Sequence, residues 1–260
     1  MAFNTLLVER ANGIATVTLN RPKALNAINQ EMTRELAQLV AELERDPAVR
    51  VVIITGAGDR AFMAGADITE FQALSAVEAL GFSQRIQALY TRIERLPQPT
   101  LAAVNGFALG GGCELTQVCD LVIAAETARF GQPEVNLGVL PGAGGTQRLA
   151  RLVGRHRAKE ICLTGEMLDA HEAYRIGLVN RVVPPDQLMA EARALAEKLR
   201  EKSAVTLRLI KEAIDEGHDL ALEAGLAVEA KAWAIAFATE DHAEGVRAFL
   251  EKRRAQFKGR

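Results

Sequence analysis

The sequence predicts an α/β protein that turns helical in its C-terminal part. Three observations carry this. Short apolar runs at 51–54, 100–104 and 121–125 suit strands buried on both faces. Helix-patterned segments alternate with them. From about residue 143 onward most segments show 3.6-residue spacing or strong helix formers. The division predicted is an α/β core over residues 1–190 and a helical region over 191–260.

The elements follow in chain order. Residues 5–10 and 14–19 are rich in Thr, Val, Leu and Ile, and Asn12-Gly13 between them signals a type I′ hairpin turn. Apolar residues at Met32, Leu36, Leu39, Val40 and Leu43 predict a helix over 29–45, with Asn29 as N-cap and Asp46-Pro47 as its stop. A helix over 76–95 ends at Pro97 and Pro99. Cys113 to Val118 reads as a helix opened by glycines. Further helices are expected over 143–152, 155–163, 169–176, 186–201, 203–216, 219–238 and 240–257, with a strand-like run at 178–183.

Composition excludes several classes. The chain has 260 residues, 31 Lys plus Arg against 33 Asp plus Glu, and 49% hydrophobic residues. That apolar share suits a folded globular protein rather than a disordered one. A nucleic-acid binder would usually carry a basic excess, so no nucleic-acid partner is expected. No stretch is long and apolar enough for a membrane helix. The first ten residues lack the pattern of a signal peptide, and a cytoplasmic location is expected. Cys113, Cys119 and Cys162 match no zinc spacing, and the four histidines form no ligand pair. Free thiols of a reducing compartment and no metal site are therefore expected.

Nine of the 21 glycines fall within residues 106–145, about three times a chance share. Tight turns alone could require them. The alternative is backbone that approaches a ligand and donates its N–H groups. In GFALGGGCEL (106–115) the glycines stand where a strand passes into a helix N-terminus, which collects partial positive charge. Glu114 follows Gly111 by three residues, so amide and carboxylate can face one ligand. In FGQPEVNLGVLPGAGGTQRL (130–149), Glu134 is the one charge ahead of Arg148. Burial would raise the pKa of either carboxyl and make it a usable acid or base. Glu114 as an exposed helix-start residue, and Glu134 as a turn residue or ion-pair partner, remain open on this reading. The pattern GxxxxGK[ST] of a phosphate loop and GxSxG of a serine hydrolase are absent.

These two segments, preceded by RPKALNAIN (21–29) and AFMAGADI (61–68), closely resemble the enoyl-CoA hydratase (crotonase) family from about residue 5 to AFLEKRRAQF (248–257). The resemblance implies a spiral of repeated ββα units followed by a helical trimerisation part. It also implies an acyl-CoA thioester substrate and no cofactor beyond the coenzyme A of that substrate. Ala66 and Gly111 match the two N–H donors of the oxyanion hole, and Glu114 and Glu134 the paired catalytic glutamates. Lys23, Ala24 and Leu25 match the loop along the coenzyme. Ala64, Ala66, Asp67, Ile68 and Thr69 match the segment beside the thioester and adenine. Gly142 matches a glycine near the reacting carbons. Phe249 and Lys252 match residues that reach the coenzyme on a neighbouring subunit, so a homo-oligomer, trimer or dimer of trimers, is implied. Thr69 stands where many relatives have lysine, and Met63 replaces a small residue.

Keeping both glutamates favours hydration of a trans-2-enoyl-CoA to the 3-hydroxyacyl-CoA, because relatives that only shift a double bond commonly keep one. By this analogy Glu114 handles the water and Glu134 the proton at C2. Isomerisation, 3-hydroxybutyryl-CoA dehydration and thioester hydrolysis are the competing reactions on the same fold. RNA binding is the competing class, against which stands the acidic-balanced helix QEMTRELAQLVAELERD.

Overall fold

The computed structural model describes residues 3–72 and 74–260; Met1 and Ala2, part of the segment inspected for a signal peptide, and Ala73 lie outside the described residues. β1 (Leu6–Ala11) and β2 (Ile14–Leu19) pair as the expected hairpin. Asn12 and Gly13 turn it with φ of 51° and 76°, the two positive values a type I′ turn requires. α1 (Gln30–Leu43) is capped by Asn29, whose side chain accepts from the Met32 N–H. It buries the five predicted apolar residues, each contributing roughly 1.5–3 kcal/mol when fully removed from water.

A repeating unit follows. β3 (Val51–Gly56) leads into β4 (Ala61–Met63) and then α2 (Ala76–Glu94). β5 (Thr100–Val104) leads into β6 (Phe107–Leu109) and α3 (Gly111–Gln117). β7 (Leu121–Ala125) leads into β8 (Arg129–Gly131), a 3-10 turn over Pro133–Leu137 and α4 (Gly145–Val153). α5 (Arg155–Thr164), β9 (Leu168–Asp169), α6 (Ala170–Arg175) and β10 (Arg181–Val183) close the sheets. Four helices complete the chain: α7 (Leu188–Arg200), α8 (Ala204–His218), α9 (Leu222–Phe237) and α10 (Glu240–Leu250).

Among the described residues the strands form two sheets, ordered β1-β2-β3-β5-β7-β10 and β4-β6-β8-β9. The β1–β2 and β8–β9 pairs are antiparallel and the others parallel. Each turn of the spiral thus gives one long strand to the first sheet and one short strand to the second. Leu188, Ala192 and Ala196 of α7 are buried against Val51, Ile53, Leu101 and Ile123 on one face of the large sheet. α1, α2 and α3 pack in the main core with the other face.

Three expected elements differ. The strand-like run 178–183 is a strand only over Arg181–Val183. Asn180 replaces the ladder ahead of it: its Oδ1 accepts from the Val122 N–H at 2.7 Å and its own N–H donates to Val122 O at 2.9 Å. The helix expected over 240–257 ends at Leu250, and Lys252 turns the chain with φ 54°. The tail folds back instead, because Asp241 accepts from the N–H groups of Lys258 and Gly259 at 2.6 and 2.9 Å. The helix at 113 begins two residues earlier, at Gly111. α7 spans the predicted boundary at residue 190.

Candidate active site

The glycine turn ahead of α3 is built where chain segments at 28, 65–67 and 111 meet. Ile28 bridges the 65–67 segment, donating its N–H to Gly65 O at 2.9 Å and accepting at its O from the Asp67 N–H at 2.8 Å. In such a parallel bridge the N–H of the intervening residue, Ala66, points to the other side. Gly111 is the first residue of α3, and its N–H has no acceptor within the helix. A Cβ built on Gly111 would lie 3.8 Å from Gly65 C, the carbon bonded to Ala66 N. The start of α3 at Gly111 therefore lies close to the Gly65–Ala66 peptide.

Glu114 lies one helical turn beyond Gly111 and is 2% exposed. It is not the exposed helix-start residue that the sequence left open. Its Oε1 accepts from the N–H groups of Ala143 and Gly145, each at 2.7 Å. Gly144 between them has φ 110°, which lets both amides point inward. Burial pushes the Glu114 pKa up, and the Gly145 and Ala143 amides and the Arg148 charge pull it back, with a net rise.

Glu134 sits in the 3-10 turn after β8, partly buried. A Cβ on Gly110 would lie 3.0 Å from Glu134 Oε1, so this carboxyl faces the glycine turn. Burial, with the neighbouring Glu114 charge adding to it, pushes its pKa to about 7. With its amide oriented to satisfy both neighbours, Gln132 donates from Nε2 to Glu134 Oε1 and Oε2 at 3.0 and 3.2 Å and accepts from Gln117 Nε2 at 3.1 Å. No ion pair holds Glu134 among the described residues.

The other predicted residues divide in two. Ala64 donates its N–H to Leu25 O at 3.0 Å, which lays the Lys23–Leu25 turn along the 64–69 segment. Asp67 turns inward: Arg21 Nη2 donates to it at 2.9 Å and Thr69 Oγ1 at 2.7 Å. Ile68 and Thr69 are exposed beside it. Gly142 O accepts from Ser83 Oγ and Gln87 Nε2, at 2.6 and 2.9 Å, next to the Glu114 cradle. Phe249 and Lys252 lie elsewhere: Phe249 lines a groove between α8, α9 and α10, and Lys252 turns the chain after α10. Sequence reasoning missed Tyr90, Gln132 and Arg148. Arg148 is the one charge of GAGGTQRL, but its target is fixed only by the fold.

Two amides converging at a helix N-terminus, with two carboxyls of unlike environment beside them, define an enzyme of the crotonase fold. The chain belongs to the enoyl-CoA hydratase/isomerase family, whose model matches residues 9–260. The crotonyl-CoA hydratase of Syntrophomonas wolfei is 48% identical over 257 residues, covering 99% of each chain. The short-chain-enoyl-CoA hydratase of Clostridium acetobutylicum is 46% identical over 261 residues, covering all of both. The crystal structure of enoyl-CoA hydratase from Bacillus anthracis superposes with a TM-score of 0.96 at 41% identity, covering 99% of this chain and 100% of that one.

Proposed function

We propose that this chain is an enoyl-CoA hydratase that adds water reversibly across the 2,3-double bond of a short trans-2-enoyl-CoA, with Glu114 and Glu134 as its acid–base pair. The observation that carries the division of roles is the unlike setting of the two carboxyls. Glu114 is fixed in direction by two amides at 2.7 Å, and these with a nearby cation offset part of the upward push of burial on its pKa. Glu134, with a pKa of about 7, holds a proton that it can release near neutrality.

Hydration then follows from the geometry. Glu114 orients and deprotonates the water that attacks C3. Electrons pass to the thioester oxygen, where negative charge is met by the N–H groups of Ala66 and Gly111. Such a donor is typically worth ~10²–10³ in rate. Glu134 delivers its proton to C2, and the roles reverse in dehydration. The chemistry asks for no group beyond these and the substrate's own coenzyme A.

Lys23, Ala24, Leu25, Ala64, Asp67, Ile68 and Thr69 form the wall proposed for the coenzyme, a reading supported by the hydrogen-bonded contact of these two segments. The helical region after α7 is proposed as the oligomerisation part, in a trimer or dimer of trimers. In support, α9 has no buried residue within the single chain, and Trp233, Phe237, Phe249 and Leu250 are 56–83% exposed. They line the groove of about 1160 Å³ between α8, α9 and α10. Phe249 and Lys252 would then approach the coenzyme of a neighbouring subunit. No described helix is long and apolar enough to cross a membrane. A cytoplasmic setting is proposed, supported by three cysteines that are free.

NMR of purified protein with crotonyl-CoA and, separately, a 3-enoyl-CoA tests the reaction. A 3-hydroxyacyl product from the first as the dominant activity is expected. Conversion of the 3-enoyl substrate alone would replace hydration by isomerisation.

A further inference from the structure

One face of α2 meets the site. Ser83, Gln87, Tyr90, Thr91 and Glu94 recur along it at helical spacing. Ser83 and Gln87 hold Gly142 O, and Tyr90 Oη donates to Gly111 O at 2.8 Å. Thr91 and Glu94 reach the site through Arg148, one turn into α4. The Arg148 guanidinium donates from Nε and Nη2 to the two Glu94 oxygens at 3.0 and 2.7 Å. Nη2 also donates to Thr91 Oγ1 at 3.0 Å, and Nη1 to Ala143 O at 3.1 Å. A Cβ on Gly144 would collide with Nη1, so the guanidinium lies directly across the cradle loop.

We infer that Arg148 is a positioning residue for Glu114: it ties the 143–145 cradle to Thr91 and Glu94 of α2 and so fixes where the Glu114 carboxylate points. The inference rests on the role proposed above for Glu114. Four acceptors on two elements are served by one planar fork of donors, which a lysine's single ammonium cannot reproduce. The Arg148 side chain is 18% and that of Glu94 33% exposed, so the pair is better shielded than an ordinary surface ion pair. The titratable groups facing Glu114 are Arg148 from α4, Glu134 from the 133–137 turn, Tyr90 from α2, Cys162 from α5 and Cys113 beside it on α3. Among these Arg148 alone is cationic, and it opposes the upward push of burial.

The test is kinetics on crotonyl-CoA with Arg148→Gln, Arg148→Lys and Glu94→Gln, the first also in a Glu114→Gln background. Misplacing a reacting group by an ångström can cost about 10²-fold. Arg148→Gln should therefore lower kcat by about 10–100-fold with KM little changed. The acid limb of its kcat/KM profile should move to higher pH, because a cation near Glu114 is lost. Arg148→Lys should restore the limb but not the full kcat, and Glu94→Gln should give a smaller loss. With Glu114→Gln already present, Arg148→Gln should cost little more, since no carboxylate remains to be held. Folded Arg148→Gln with wild-type kcat and pH profile would overturn the inference, and so would equal losses in both backgrounds. Should Arg148→Gln fail to fold, Glu94→Gln and Thr91→Val carry the test, and an unchanged pH limb in both overturns it. A Glu114→Gln enzyme of wild-type rate would remove the reading of Glu114 and this inference with it. An inactive Glu114→Gln beside an unaffected Arg148→Gln removes the inference alone.

Discussion

The carbonyl oxygen of Met63 occupies the space a side chain at Gly112 would need. A Cβ on Gly112 would fall on that oxygen, with Met63 C at 2.7 Å. This close approach presses the start of α3 against the end of β4 and sets Gly111 beside Ala66.

Gly112→Ala should therefore damage fold and site together. Overpacking of this kind costs typically 1–3 kcal/mol, and the obstacle here is backbone, which cannot swing aside. Gly111→Ala should be far milder, because its Cβ would meet Tyr90 Oη, Gly65 C and Ile28 Cγ2 at 3.7–3.8 Å, ordinary contact distances. Thermal melts of the two variants check the contrast. Equal melting temperatures would deny it.

The pH dependence follows from Glu134. Burial raises its folded pKa to about 7 from the ordinary 4.5. The folded state thus binds its proton more tightly than the unfolded chain. Its contribution to stability is present below pH 4.5 and is lost as pH rises through about 7. In catalysis the protonated form serves hydration and the ionised form dehydration. Hydration and dehydration kcat/KM should both fall as pH rises through about 7, because the glutamate pair must carry one proton in either direction and the overall reaction takes up none. Rate profiles in both directions check this. Profiles that stay level through this interval would point to another group.

Tyr90 is fully buried, and its hydroxyl donates to Gly111 O at 2.8 Å. Tyr90→Phe should cost about 0.5–1.5 kcal/mol of stability, the usual worth of one such bond. It should lower kcat as well, because the turn proposed to hold the oxyanion is less firmly held. Denaturant melts and steady-state rates measure the two effects. Unchanged stability would mean that the hydroxyl bond contributes nothing.

Assembly is tested by light scattering. Three chains of 28.1 kDa give about 84 kDa. A species of that mass or its double is expected, since α9 buries no side chain within one chain and so large an apolar surface marks an interface. A 28.1 kDa species at micromolar concentration would contradict it.

The longer elements were legible because their signals are local. The 51–54, 100–104 and 121–125 runs became β3, β5 and β7, and the hairpin turn and the Asn29 cap stand as expected. The second sheet was not legible: β4, β6 and β8 have three residues each and β9 two, too few to show a period. Resemblance pointed to Glu114, Glu134, Ala66 and Gly111, and the fold gathers them. The residues that hold them, Tyr90, Gln132 and Arg148, read as ordinary helix or loop positions. Their partners lie 21, 2 and 54 residues away in sequence at Gly111, Glu134 and Glu94. The end of α10 escaped because tertiary bonds from Asp241 and Glu244 capture residues 253–259.

The central claim, that two glutamates carry the addition of water, is met most directly by the hydration rate of Glu114→Gln and Glu134→Gln on crotonyl-CoA, with folding followed by circular dichroism. A positioned acid or base is worth ~10²–10⁴ in rate. Each variant should stay folded and lose kcat by roughly that factor. A folded variant keeping more than about a tenth of the wild-type rate would contradict the role given to that glutamate.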